Sequence, residues 1–115
     1  MKQLKIIQAY KEMEKLADNQ NISDETQWEI FKLRKIMKPH VEFQQEREEA
    51  IKSKYIKQAD ESGKIYGDVL QKYAKELNDL NDMDVEIDSF VKPSVPHTGL
   101  NFLTMEKLED FMDFT

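Results

Sequence analysis

Cysteine is absent from the 115 residues. That removes disulfides, thiolate nucleophiles, iron–sulfur ligation and the common structural zinc sites together. Glycine and proline are scarce, three of each. An all-β sandwich needs far more turn residues. Histidine occurs only at His40 and His97. No Glu-x-x-His pair of the di-iron type, glycine-rich phosphate loop or Gly-x-Ser-x-Gly elbow is written anywhere. No window approaches the roughly 20 apolar residues of a membrane span. The first residues, Met1 to Gln8, hold no signal-peptide apolar run, so the expectation is a cytoplasmic protein. Catalytic residues, cofactors and metal ligands are all expected to be none, and the chain reads as a non-enzyme.

What the sequence has in quantity is charge. Charged residues make up 35% and hydrophobic ones 39%. That balance suits one thin helical domain better than a thick α/β core. The net charge of −6 is uneven. Residues 1–75 carry 15 Lys/Arg against 13 Asp/Glu, and residues 76–115 carry 2 against 10. The acidic end repels phosphate, so no nucleic acid is expected as partner. A basic protein surface, or the basic half of the same chain, suits it better.

Helical periodicity organises most of the chain. Leu4, Ile7, Tyr10, Met13 and Leu16 recur at steps of three and predict a helix over 3–18. The polar run Asp18–Asn21 should stop it. Ser23 is a good N-cap, with Asp24 and Glu25 at the positive end of the next helix. A seam at Ile30, Leu33, Met37, Val41, Gln44, Glu48, Ile51 and Tyr55 predicts a long helix over 24–60. Trp28, Phe31, Ile36 and Phe43 widen its first half into an apolar sector expected to carry the core. Pro39 either kinks this helix or splits it into 24–37 and 39–60. A single element kinked near 39 is favoured, because no loop residues stand there. Ser62-Gly63 signals a turn. A third helix over 68–80, with Asp68 and Gln71 as a capping box, should return antiparallel as a hairpin. The fold class is therefore mainly α. A long kinked helix forms an antiparallel hairpin, between N- and C-terminal helices, with one short strand near 83–91.

That strand is read from a change of period. Asp82, Asp84, Glu86 and Asp88 alternate with Met83, Val85 and Ile87. Its only pairing candidate in the sequence is Lys64–Tyr66. A calcium loop starting at Asp82 would need Gly at its sixth position and Glu at its twelfth. Ile87 and Pro93 stand there, so a charged strand edge is the plainer reading. Residues 92–101 read as loop and 104–113 as a terminal helix. Thr104 is its expected cap, with a Leu103–Leu108 staple. Two basic groups on the long helix, Lys32/Arg34/Lys35/Lys38 and Lys52/Lys54/Lys57, are expected to pair with the acidic C-terminal region.

The segments Leu33–Arg47, Val85-Glu86-Ile87-Asp88 and Leu108-Glu109-Asp110-Phe111-Met112 together resemble a group of small helical proteins encoded by phages and prophages of Gram-positive bacteria. The resemblance covers about the last three-quarters of the chain and implies an origin, with no activity or site residues. The expected function is a protein-binding module acting on a host or phage protein, such as an inhibitor of a host defence or replication protein. An oligomeric virion or assembly accessory, or a regulatory subunit of a larger complex, are the alternatives; homo-oligomers fit the former. Candidate binding residues are Phe31, His40 and Phe43, left over near the bend, and the acids Asp82, Asp84, Glu86 and Asp88.

Overall fold

The structure, a computed structural model, describes residues Met1–Thr115. Helix α1 spans Gln3–Glu14, α2 Asp24–Ile56, α3 Gly67–Asn81 and α4 Phe102–Leu108; strands β1 (Ser94–Val95) and β2 (Asp113–Phe114) pair in parallel. The fold is mainly helical, with α2 at its centre. At 33 residues α2 is about 50 Å long. The molecule measures 52 × 27 × 18 Å, so α2 spans its long axis.

Ser23 caps α2 by accepting from the Thr26 amide at 3.2 Å. The helix then runs unbroken through Pro39. Pro39 has no N–H, which leaves the Lys35 carbonyl without its helical donor. Close by, the buried amide of Gln3 donates to the His40 carbonyl at 2.7 Å. Two hydrophobic clusters lie along α2. The main one joins Ile30, Leu33 and Met37 to Ile6, Ala9, Met13 and Leu16 near one end. Ile22, Val95, Leu108, Phe111 and Met112 complete it. The smaller one holds only Ile51, Tyr55 and Leu80, between α2 and α3. Between the two, Gln44 is buried. Its amide donates to Asn81 Oδ1 at 2.8 Å and Glu48 Oε1 at 2.9 Å. Gln44 thus fastens the hairpin root.

Several boundaries differ from those predicted. Helix α1 stops at Glu14, not 18, because the chain folds into successive turns and the Gln27 side chain takes the Leu16 carbonyl at 2.6 Å. Helix α2 stops at Ile56, and Asp60 then organises the turn by accepting from the Ser62 and Lys64 amides. Asp68 is not the cap of α3. The chain enters through Gly67 at φ 58°, one residue earlier, and Tyr66 at the cap position makes no side-chain bond. Asp68 sits in the first turn instead.

The strand expected at 83–91 shrinks to one antiparallel bridge, Lys2 with Asp84. Its partner is not Lys64–Tyr66 but the residues before α1. The Gln3 amide donates to the Met83 carbonyl and the Val85 amide to the Met1 carbonyl, each at 2.9 Å. Once α1 starts, its backbone groups turn inward, so no ladder can continue. Beyond it, Val85, Ile87 and Phe90 dock by side chains on the main core. The regular strands lie further on, at 94–95 and 113–114.

The terminal helix also moves. Asn101 is the cap, accepting from Leu103 N at 2.7 Å. Leu103 is exposed, so the expected staple does not form. The helix ends at Leu108 rather than 113, because the chain must reverse to bring Phe111 and Met112 into the core and Asp113–Phe114 alongside Ser94–Val95.

Thr104 serves a different purpose: it is buried and donates to Glu12 Oε2 at 3.0 Å. Lys15 and Lys107 reach the same carboxylate at 3.0 and 3.3 Å. Burial pushes the Glu12 pKa up, but the bonds from Lys15, Thr104 and Lys107 together outweigh it and hold it below the ordinary 4.5. A depressed folded-state pKa contributes stability above the unfolded value, lost as pH falls through the folded one. Urea midpoints should therefore drop as pH is lowered from 5 through 4.5 and below. Glu12→Gln should flatten that slope, and an unchanged slope would refute the assignment.

Candidate protein-binding surface

The first half of α2 buries a narrow stripe. Ile30, Leu33, Met37 and Val41 are all under a tenth exposed. At 100° per residue, Trp28, Lys35 and Pro39 fall nearly opposite that stripe, with Phe31 and Phe43 to either side. The apolar sector predicted to carry the core is thus only partly used. Trp28 is 59% exposed, Phe31 46% and Phe43 43%. The rings of Trp28 and Phe31 stack at 5.3 Å, and Lys35 Nζ lies 5.5 Å from the Phe31 centroid. Trp28 and Phe43 lie about 22 Å apart along the helix.

The rows of residues singled out in the sequence are not all brought together. Phe31 and Phe43 share the outer side of α2. His40 does not join them: it is half-buried, and its carbonyl is engaged by Gln3. Asp82, Asp84, Glu86 and Asp88 are all exposed, alternating with half-buried Met83, Val85 and Ile87. The alternation expected from the period of two is therefore real, although the ladder is not. Lys2 neutralises part of this row, reaching Asp84 at 3.5 Å. The segment's far end meets α2. Phe90 and Val91 line a cleft of about 260 Å³ with Glu29, Lys32, Leu33 and Ile36. Val91, 84% exposed, stands across that cleft from Glu29, Lys32 and Ile36.

The basic groups pair differently from expectation. Arg34 contacts Glu14 at 3.4 Å and lies over the Tyr10 ring, and Lys38 reaches Glu42 at 3.9 Å. Of these basic residues only Lys54, bonded to Glu76 at 2.9 Å, makes an ion pair with the last forty residues. The other links between the chain's two halves come from elsewhere, in Lys2–Asp84, Lys5–Asp110 and Lys107–Glu12. Lys32 and Lys35 make no ion pair and stand beside the exposed rings.

Trp28 and Val91 are the surface residues the sequence reading did not select. Trp28 could have been found by angle alone, since it lies opposite Ile30–Leu33–Met37. Val91 could not, because nothing local says where the acidic segment ends up. No three His, Asp or Glu side chains converge as metal ligands, and no helix is long and apolar enough to cross a membrane. No family model, curated protein or solved structure matches the chain.

Proposed function

We propose that the chain is a non-enzymatic, phage- or prophage-encoded module that binds a host protein through the outer face of α2 and blocks it, a defence or replication factor being the expected target. The supporting observation is the stacked Trp28–Phe31 pair, left largely in water on a chain with only one tryptophan. Exposed aromatic clusters beside cations are where interface energy concentrates. Lys32 and Lys35 flank the rings, and the exposed acids Asp82, Asp84, Glu86 and Asp88 lie on the segment whose far end, Phe90–Val91, meets α2. A partner surface with an apolar centre and a mixed-charge rim fits this arrangement.

The double variant Trp28→Ala/Phe31→Ala tests the reading. Both side chains are exposed, so unfolding stability should change by no more than about 1 kcal/mol. A stoichiometric partner cross-linked to the wild type in host lysate should be lost, with affinity falling tenfold or more. A partner retained equally by the variant, or no stoichiometric partner, would count against it.

A further inference from the structure

We propose that the hairpin of α2 and α3 is a self-association surface, closed by the same hairpin of a second copy into an antiparallel four-helix bundle. This does not rest on the aromatic face of α2, which lies on the other half of the helix.

The arm is underfilled as a single copy. The radius of gyration is 17.5 Å, against about 13 Å for a compact domain of this length. The excess is an arm whose own core is three buried residues. Val69, Tyr73 and Leu77 of α3 are only half covered, and Leu70 is 46% exposed. Helix α3 is amphipathic, yet it packs mainly on α2, with only a minor contact to α1, where a bundle helix has two full neighbours.

The two flanks of the hairpin are unlike each other. One is sealed by charge: Lys54 holds Glu76 at 2.9 Å, and Lys75 holds Asp79 at 3.4 Å. By helical angle, all five charged residues of α3 (Asp68, Lys72, Lys75, Glu76 and Asp79) fall within about 100° on that side. The other flank is an open groove of about 550 Å³ between Gln45–Lys52 of α2 and Tyr73, Leu77 and Asn81 of α3. A smaller cleft of about 160 Å³, sharing Lys52 and Tyr73, continues it toward the hairpin tip. On this side α3 shows Leu70, Ala74, Leu77 and Asn81. Their steps of 4, 3 and 4 form a coiled-coil seam without a charge. Loss of charge from the centre of a surface is the compositional mark of an interface.

The groove's rim says which occupant fits. Glu48 and Glu49 stand on its inner side and Lys52 further out. A two-fold axis crossing α2 between Glu49 and Lys52 runs the two helices antiparallel. It sets each copy's acids against the other's lysine, so one patch complements itself, as an isologous dimer requires.

Light scattering and sedimentation across a concentration series test this. The expected result is a species of twice 13.7 kDa that dissociates on dilution. Leu70→Glu, on an already exposed side chain, should give a monomer of unchanged helicity. Lys52→Glu should weaken dimerisation by about tenfold, since each two-fold contact is lost twice. Adding Glu49→Lys to Lys52→Glu should restore it while helicity and urea midpoint stay equal in all three proteins, which separates it from repair of the i,i+3 pair within one helix. Trp28→Ala/Phe31→Ala should remain dimeric. A monomer at every concentration overturns the proposal and leaves the groove to another protein's helix. A dimer that survives Leu70→Glu, or that is lost with Trp28→Ala/Phe31→Ala, overturns it equally.

Discussion

Phe111→Ala is expected to destabilise the protein by about 3–5 kcal/mol, the range for emptying a fully buried aromatic site. Phe111 is 0% exposed and stacks on Phe90 with centroids 5.9 Å apart. It belongs to the cluster in which α1, α2, α4 and the last residues meet. Three backbone restraints hold it there. The amides of Phe111 and Met112 donate to the Leu108 carbonyl at 2.9 and 3.0 Å, and the Asp113 amide to the Pro93 carbonyl at 2.9 Å. A site tied on both sides collapses poorly around a smaller residue, which places the loss toward the upper part of the range. A domain of this size has about 6–17 kcal/mol in total, so the variant gives up a large share. Urea unfolding should show a midpoint about 2 M lower. A loss below about 1 kcal/mol would mean that the C-terminal segment does not close the core as described.

Pro39→Ala is expected to act in the opposite direction, raising stability by about 2 kcal/mol. An interior proline costs a helix about 3 kcal/mol through the lost hydrogen bond and the ring's clash with the preceding turn. Alanine restores a donor for the Lys35 carbonyl. Against this, alanine gives the unfolded chain more freedom, which takes back about 1 kcal/mol at most. Pro39 is exposed, so no packing is lost. What the substitution can disturb is the path of α2. Leu33 and Met37 serve the main cluster on one side of the proline, and Ile51 and Tyr55 the hairpin cluster on the other. Thermal and urea unfolding of the variant decide the matter. A clear loss of stability would show that the two clusters depend on the path α2 takes with proline at 39.

The contrast between these two residues bears on what was legible in advance. Leu108, Phe111 and Met112 are recognisable as a buried edge from their spacing. Their burial does not require the helix over 104–113 that the spacing suggested. Three apolar residues close together are compatible with a helical turn followed by a reversal. The choice between them is made by Pro93 and Val95, about twenty residues earlier, which offer carbonyls to the Asp113 and Thr115 amides. Pro39 is the reverse case. Local propensity counts against a continuous helix, but the seam continues on both sides of the proline, and packing along 33 residues outweighs one lost bond.

The candidate surface was legible in part for a similar reason. Phe31 and Phe43 stand off the Leu33–Met37 line, and a helical wheel shows it. The exposure of Trp28 follows from the same angle, yet tryptophan composition argues for burial. His40 fell beside the stripe and was taken by Gln3, a contact between residues 37 apart in the chain.

By itself the sequence determined the helical class, the unbroken seam of α2, the hairpin with α3, and the alternation of Asp82–Asp88 with Met83, Val85 and Ile87. Each is written in the spacing of apolar residues within one element, and a helix or extended segment has only one geometry with which to answer that spacing. The tertiary structure alone decided that residues 1–3 pair with 83–85, that Glu12 gathers Lys15, Thr104 and Lys107, and that the main core takes one narrow stripe of α2 and leaves Trp28 and Phe31 in water. These depend on how much apolar surface the other elements bring to α2. Helix α1 and the segments around Val95 and Leu108–Met112 fill one side of it, and none of them packs against the other.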